Sequence, residues 1–282
     1  MADPGAATRE PEPSALEAAT AVAAAHRIRF EELVVLKDGS NLLVHLAPAP
    51  VVLRIATFTA RIRRDPLPWL RREADLVSYL ASVGAPVMPP TDLMPVGPHV
   101  VDGWAMTAWT FVEHRPGEVP DASSALAALD ELHVALRGFP GDLPVLNPAT
   151  DDLDRAIAFG VAEGLFTRDE ADDIRGRRDA VLAEVVAAAP DRQALHGDAF
   201  PKNSLITERG IVWIDFEDCC SGPIVWDHAT LLRRIDDDAT ETVIRRRHGR
   251  DALEAAVDLR GIQADVWTVL HDARAEGRLS GD

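Results

Sequence analysis

Two carboxylates and an amide surround one short hairpin pattern in the C-terminal half of the chain. Asp198 follows His196-Gly197, Asn203 lies five residues later, and Asp215 ends the apolar run VWI. A carboxylate at the end of a buried strand is costly unless it meets a cation or hydrogen-bond donors. Carboxylate and amide oxygens suit Mg²⁺, and a separate Asp can accept a proton from a hydroxyl. The spacing therefore predicts phosphoryl transfer, with Asp198 as the catalytic group and Asn203 and Asp215 as metal ligands.

The elements that precede this constellation are predicted to be mainly strands. Alternating apolar residues and turn signals predict strands at Leu33–Leu36, Leu42–Ala47, Val51–Ala56, Pro98–Val101 and Trp104–Val112. Apolar residues at helical spacing predict a helix between residues 66 and 83. Ser14 and Glu17 predict a capping box for an earlier helix that ends near Arg27. Residues 1–13 are rich in Pro, Ala and Glu and are predicted to be a disordered tail.

From Asp121 onward the pattern changes to long helices. We expect helices at 122–138, Asp152–Gly160, Thr167–Ala189 and from about Val225 to the end, interrupted by a hairpin at Asn203–Thr207 and Ile211–Asp215. Thr167 as N-cap and Glu170 three residues later predict a capping box for the third of these helices. The change of pattern falls at 112–118, where a strand candidate meets Pro-Gly. The predicted organisation is therefore an N-terminal nucleotide-binding region at 14–112, and a catalytic and substrate-binding region at 113–282.

The composition excludes several classes of partner. The formal net charge is −17, which argues against nucleic acid and against anionic membranes, because both need Lys and Arg on the protein. No apolar run approaches the roughly 20 residues that span a bilayer, and the N-terminus has no signal-peptide pattern. We therefore expect a soluble, cytoplasmic protein. Cys219 and Cys220 are adjacent and are predicted to be buried free thiols. Nothing in the sequence predicts an oligomeric state.

The quoted motifs resemble a known superfamily. HGDAFPKN at 196–203 followed by IDFE at 214–217 is similar to the catalytic segment of the aminoglycoside phosphotransferase and choline kinase superfamily of small-molecule kinases. Weaker similarities follow in chain order at 39–41, 52–56, 71–80, 111–117 and 222–232. The resemblance implies an α+β, protein-kinase-like, two-lobe fold. Its N-lobe would be a small antiparallel sheet with a helix, and its larger C-lobe mostly helical.

The resemblance also implies ATP and Mg²⁺ as cofactors and assigns roles to the constellation. Asp198 would orient and deprotonate the acceptor hydroxyl. Asn203 and Asp215 would hold Mg²⁺ against the nucleotide phosphates. Glu217 follows Asp215 by two residues, and it either contacts the metal as well or faces solvent or substrate. His196 and Asp227 are expected to brace the catalytic loop.

Six residues are predicted to bind the nucleotide: Arg54, Glu73, Ser40, Asn41, Val112 and His114. Arg54 stands where many kinases have Lys, and it keeps the charge while adding a two-pronged donor for phosphate. Glu73 is expected to pair with it. Ser40 and Asn41 follow the only glycine of the loop KDGSN and would offer donors to phosphate, although a plain hairpin turn is the alternative.

The predicted hinge lies at Val112 and His114. There the Val112 carbonyl and the His114 N–H would hold the base of the nucleotide.

The sequence thus predicts ATP-dependent transfer of the γ-phosphoryl group to a hydroxyl of a small molecule. An aminoglycoside-like or other amine-bearing antibiotic is the favoured acceptor, because an acidic protein attracts cations. The alternatives are a kinase of a metabolite alcohol such as choline, homoserine or a thiosugar, and a catalytically silent nucleotide-binding regulator. The acidic stretch Ile235–Glu241 is more typical of a solvated face than of a cation pocket. Lys202 and His133 are interpreted as an ordinary loop lysine and a satisfied core histidine.

Overall fold

The protein is represented by a computed structural model that describes residues 11–279. The contacts divide the chain into two units. The first holds the residues up to Glu118 together with Leu205–Glu217, and the second holds Val119–Ser204 and the chain from Asp218 onward. The segment Leu205–Glu217 was placed by the sequence in the region 113–282, but its contacts are those of the first unit. Residues 1–10 of the predicted tail lie outside the described residues.

The first unit is built on one antiparallel sheet. Its strands are β1 (Glu32–Asp38), β2 (Leu42–Ala47), β3 (Val51–Ile55), β4 (His99–Val101) and β5 (Trp104–Thr110), in the order β1-β2-β3-β5-β4. Inward-facing apolar residues of β2 and β3 are buried in its core against α1 (Pro13–Ala25). The unit also contains α2 (Phe58–Arg63), which the sequence did not predict, and α3 (Leu67–Ser82), which it did.

The start of α1 differs from the predicted capping box. Pro13 is the first helical residue and Glu12 occupies the N-cap position without a side-chain cap bond. Ser14 therefore lies inside the helix, and the predicted cap at Ser14 is wrong. Proline is favoured at the first helical position because its fixed φ suits a helix and it has no N–H to satisfy there.

The second unit is mainly helical. Its helices are α4 (Ala122–Leu136), α5 (Asp151–Ala162), α6 (Arg168–Ala188), α7 (Val225–Leu232), α8 (Asp238–Arg247) and α9 (Arg250–Ala275). The remaining strands are β6 (Gln193–Leu195), β7 (Ser204–Thr207), β8 (Gly210–Trp213) and β9 (Cys220–Gly222), of which β7 pairs with β8 and β6 pairs with β9. The predicted capping box of Thr167 and Glu170 is present at the start of α6. Both cysteines are buried, as predicted.

These elements confirm the predicted α+β class. The first unit supplies an antiparallel sheet with helices, and the second supplies long helices with short two-stranded pairings. Within residues 11–279, no helix combines the length and the apolar character that crossing a bilayer requires.

Candidate active site

Arg54 is the centre of a buried charge cluster in the first unit. It lies in the middle of β3, where it is 5% exposed. Its Nη1 contacts Glu73 Oε1, while its Nη2 lies 2.9 Å from Asp215 Oδ1 and 2.5 Å from Glu217 Oε2. Burial opposes the charged form of Arg54, but the charges of Glu73, Asp215 and Glu217 outweigh it and raise the pKa of the guanidinium. The predicted pair of Arg54 and Glu73 is therefore present, within a larger cluster.

Two further arginines lie close to this cluster. Arg63 Nη1 donates to the Glu217 carbonyl oxygen at 3.2 Å, and Arg72 Nη2 donates to the same oxygen at 3.4 Å. Burial raises the pKa of Glu73 to about 7, because the contact with Arg54 offsets the desolvation only in part and the charges of Asp215 and Glu217 add to it. The carboxylates of the cluster are oxygen ligands of the kind that suits a hard cation.

The turn before β2 is held by hydrogen bonds to other residues of the first unit. Asn41 Nδ2 donates to Glu217 Oε2 at 2.7 Å, and the Ser40 carbonyl accepts from the Thr59 N–H at 2.8 Å. Asn41 Oδ1 is buried and has no hydrogen-bond partner among the described residues. The amide of Asn41 is thus engaged by Glu217 through its nitrogen, and its oxygen is the atom left for a cation or a donor. A phosphate-binding role for Ser40 and Asn41 stays a prediction.

The predicted hinge is ordered by a bond between its two residues. The His114 ring nitrogen Nδ1 donates to the Val112 carbonyl oxygen at 3.0 Å. A carbonyl oxygen has two lone pairs, so this bond leaves the carbonyl able to accept a second donor. Recognition of a nucleotide base by Val112 and His114 stays a prediction.

Asp215 has an uncommon backbone conformation. It lies two residues after the end of β8 and its φ is 66°, a left-handed value that few residues other than Gly, Asn and Asp adopt. Its side chain is 33% exposed although its Oδ1 contacts Arg54. Such backbone positions are costly and are found mainly at functional sites. The conformation agrees with the prediction that Asp215 binds a ligand.

In the second unit, the loop that carries Asp198 depends on a glycine. Gly197 has a φ of 89°, and a methyl group at its Cα would overlap the backbone carbonyl oxygen of Asp218. Both the backbone angle and the close approach therefore require glycine at this position.

Asp227 braces the same loop from α7. It is 0% exposed and its carboxylate accepts from the backbone N–H groups of His196 at 3.0 Å and Gly197 at 2.9 Å, and from His133 Nε2 at 2.9 Å. Burial alone would raise the pKa of Asp227, but the bond from His133 and the neighbouring histidine and backbone groups lower it. The predicted bracing by Asp227 is confirmed, and His133 is a satisfied core histidine as predicted.

The carboxylate of Asp198 is held on both of its oxygens. Asn203 Nδ2 donates to Asp198 Oδ2 at 2.9 Å and to the Asp198 carbonyl at 3.0 Å. Arg260 Nη2 contacts Asp198 Oδ1. Because Asn203 turns its nitrogen toward Asp198, its Oδ1 is the atom suited to a cation. Asn203 and Asp215 belong to different units, and their shared role as metal ligands stays a prediction.

Arg260 is a site residue that the sequence analysis missed. It lies in the middle of α9, 62 positions after Asp198. No motif surrounds it, and its helical pattern is that of any amphipathic helix. A buried arginine can be predicted from sequence only when the apolar face of its helix is known. The sequence pattern did not define that face for α9.

A cavity of about 920 Å³ opens beside the catalytic loop in the second unit. Its walls come from the start of α4, the loop residues after Asp198, and the region between α7 and α8. The charged residues that line it are Asp121, Asp130, Lys202, Arg234, Asp236, Asp237 and Arg247. Asp236 and Asp237 therefore line a pocket, which corrects the interpretation of the stretch Ile235–Glu241 as a plain solvated face.

Three solved structures illustrate what the fold is similar to. Amicoumacin kinase hAmiN, in complex with AMP-PNP, Ca²⁺ and Ami, has a TM-score of 0.66 and 14% identity, covering 92% of this chain and 89% of its own. A microcompartment-associated aminopropanol kinase gives 0.63 and 19%, covering 93% of both chains. The choline kinase LicA from Streptococcus pneumoniae gives 0.60 and 14%, covering 92% of both. These similarities confirm the predicted protein-kinase-like fold.

Comparison at the level of sequence gives the family. No curated protein matches the chain, but the model of the phosphotransferase enzyme family matches residues 35–262. That match covers most of the chain and includes both the Arg54 cluster and the Asp198 loop. It confirms the predicted class of enzyme, a small-molecule kinase with an alcohol group as acceptor. The chain belongs to the phosphotransferase enzyme family.

Proposed function

We propose that the protein transfers the γ-phosphoryl group of ATP to a hydroxyl of a small, amine-bearing molecule, with an aminoglycoside-like or related antibiotic as the leading acceptor. The observation that carries the proposal is the state of Asp198. Its two oxygens are fixed by Asn203 and Arg260, and the residues that follow it line a large cavity. A carboxylate fixed in this way is suited to orient a hydroxyl and take its proton, and the cavity lined by Phe200, Pro201 and Lys202 is the proposed place for the acceptor.

The charges of the cavity support an amine on the acceptor. Asp121 caps α4 by accepting from the Ser124 N–H, and Asp237 caps α8 by accepting from the Thr240 N–H. The backbone bond from Ser124 is the main cause that lowers the pKa of Asp121 to about 2, and bonds from Thr240 lower the pKa of Asp237. Both groups therefore stay ionised at neutral pH. The charge of Asp121 also acts on Asp237 and opposes part of the lowering of its pKa. The two acids therefore form one negative region.

The same cavity has cationic groups that suit a second kind of acceptor. Lys202 and Arg234 line it, and Arg234 lies over the Phe200 ring with 5.3 Å between Cζ and the ring centroid. An acceptor with both an ammonium and a carboxylate, such as homoserine, would match this mixture. It is the metabolite alternative that the structure favours over choline, which has no anionic group.

ATP and a divalent cation are the proposed cofactors. The similar amicoumacin kinase was solved with AMP-PNP and Ca²⁺. In this chain the Asn203 and Asp215 oxygens would hold the cation, and Glu217 is either a third ligand or, through its bonds with Arg54 and Asn41, a support for the turn before β2. Arg54 would bind phosphate oxygens. A bound divalent cation neutralises the charge on the phosphate oxygens during transfer.

An acceptor screen tests the proposal. Purified protein is incubated with ATP and Mg²⁺ and with aminoglycosides, peptide antibiotics, choline, amino alcohols and homoserine in separate reactions, and ADP release is followed. We expect turnover with an amine-bearing alcohol, and a fall of about 10²–10⁴-fold or more for Asp198→Ala. The exposed Asp191→Ala is the matched control, and it should behave as the parent.

Two outcomes would contradict the proposal. Full turnover by Asp198→Ala would remove Asp198 from the chemistry. Tight nucleotide binding without turnover for any acceptor would favour the silent regulator instead.

A further inference from the structure

Two contacts hold Arg260 in addition to its contact with Asp198. Its Nε donates to Thr230 Oγ1 at 3.1 Å, and its Cζ lies 5.9 Å from the centroid of the Trp226 ring. Thr230 in turn donates to the Trp226 carbonyl at 3.0 Å. The Arg260 side chain is 7% exposed. These contacts with α7 orient the guanidinium, and its Nη2 contacts Asp198 Oδ1.

The Trp226 ring that contacts Arg260 also supports the catalytic loop. The Trp226 indole N–H donates to the Gly197 carbonyl at 2.8 Å, and Gly197 is the residue before Asp198. The guanidinium and the loop backbone are therefore positioned by one indole ring. A shift of Trp226 would move both partners of the Arg260–Asp198 contact together.

The second unit contains another buried arginine with a different set of partners. Arg178 is also 7% exposed at its side chain, and it pairs with Asp154 and Asp179 and donates to the Ala149 carbonyl at 3.1 Å. None of these groups belongs to the Asp198 loop. Arg178 therefore joins α6 to α5 and the turn before it, whereas Arg260 ends on a carboxylate that is 24% exposed and able to meet a ligand.

We propose that Arg260 is a positioning residue that holds the Asp198 carboxylate in the orientation that meets the acceptor hydroxyl. The inference rests on the proposed role of Asp198. Arg260 Nη2 occupies Oδ1 while Asn203 occupies Oδ2, so rotation of the carboxylate about its Cβ–Cγ bond is blocked from both sides. Arg260 acts through Asp198 and takes no part in bond making.

The test compares Arg260→Met, Arg260→Lys and Arg178→Met with an acceptor found in the screen. For Arg260→Met we expect a fall in kcat of about 10²-fold, because the carboxylate is no longer held on Oδ1. The nucleotide Kd should stay the same. Arg260→Lys keeps a donor for Asp198 Oδ1 and should recover part of the lost kcat. Arg178→Met should lower the Tm and keep the parent kcat.

The outcomes separate this inference from the proposed function. If Asp198→Ala keeps full turnover, the proposed function itself fails. If Asp198→Ala is inactive while Arg260→Met keeps the parent kcat, only the positioning role fails. If Arg260→Met does not fold, as judged by circular dichroism, Arg260→Lys decides. For that variant a reduced kcat at an unchanged nucleotide Kd supports the inference, and a parent-like kcat overturns it.

Discussion

The two units each place an arginine against a carboxylate of the predicted site, but with different numbers of partners. In the first unit Arg54 contacts three carboxylates, Glu73, Asp215 and Glu217, and the charge of Arg63 acts on it as well. In the second unit Asp198 is contacted by one arginine and one amide. Breaking a buried ion pair by removing one partner is strongly destabilising. Loss of the arginine should therefore destabilise the first cluster, which has several acids to leave without a partner, more than the second.

The largest expected effect comes from removing the Arg54 guanidinium, which pairs with all three carboxylates of the first cluster. Arg54→Met should lower the free energy of unfolding by about 3–5 kcal/mol, because it leaves buried carboxylates without their partner. Arg54→Lys keeps the charge but loses the two-pronged geometry, and it should cost less. Urea denaturation at pH 7.5 measures both. A loss for Arg54→Met that equals the loss for Arg54→Lys would show that charge balance is not what holds this cluster.

The next effect concerns the brace behind the second cluster. Asp227→Asn preserves the shape but removes the charge that accepts from the His196 and Gly197 N–H groups. We expect a loss of about 2–3 kcal/mol, since hydrogen bonds to charged groups are worth about 1.5–3 kcal/mol each and part of each bond remains. The exposed Asp173→Asn is the control for charge removal. Thermal unfolding with equal loss in both variants would contradict a special role for Asp227.

A smaller effect is expected at the turn before β2. Asn41→Ala removes the donor to Glu217 Oε2 and should cost about 1–2 kcal/mol. If Asn41 also contributes its unpartnered oxygen to the cation, isothermal titration with Mg²⁺ and ATP should show a weaker affinity as well. Ser78→Ala, at an exposed position of α3, is the control. An unchanged stability would mean that Glu217 is held by Arg54 alone.

The smallest effect is a pH dependence in the histidine network next to the second cluster. His228 Nδ1 and His248 Nε2 lie 2.7 Å apart. Burial, followed by the charges of His228 and Arg247, lowers the pKa of His248 to about 4. The folded protein keeps His248 neutral while the unfolded chain takes up a proton below about pH 6.5. Stability is therefore complete above pH 6.5 and decreases as the pH falls toward 4.

The partial exposure of His248 to solvent limits this loss of stability at acid pH. His248 is only partly buried, so we expect about 1 kcal/mol rather than the full value of the shift. His248→Gln should show a flatter dependence of the free energy of unfolding on pH between 6.5 and 4. Identical slopes in the parent and the variant would place the acid sensitivity elsewhere.

The sequence predicted local features well and long-range ones poorly. The strands β2 and β3, the capping box of α6 and the pairing of Arg54 with Glu73 follow from short-range patterns, because each depends on residue types at fixed spacing or on a motif order. The cap of α1 was misplaced by two residues since proline at the first helical position competes with a serine cap. The short helix α2 was missed because six residues carry too little periodicity.

The catalytic loop shows the same limit at the level of side chains. Asp198, Asn203 and Asp227 lie within 30 residues of each other, and their motifs identified them. Arg260 reaches Asp198 from a helix that begins 52 positions later, and no local pattern connects the two. The hydrogen bond from Asn41 to Glu217 joins residues that are 176 positions apart, and residue spacing could not predict it either.

The membership of Leu205–Glu217 in the first unit has a consequence for how the protein can be divided. The chain leaves that unit after Glu118, returns to it for thirteen residues that include two of the three acidic partners of Arg54, and leaves again. A fragment ending at residue 118 would keep the guanidinium and Glu73 but discard both other acids. Neither unit can therefore be expressed, or exchanged between proteins, as one uninterrupted segment. Domain shuffling could transfer these units only together.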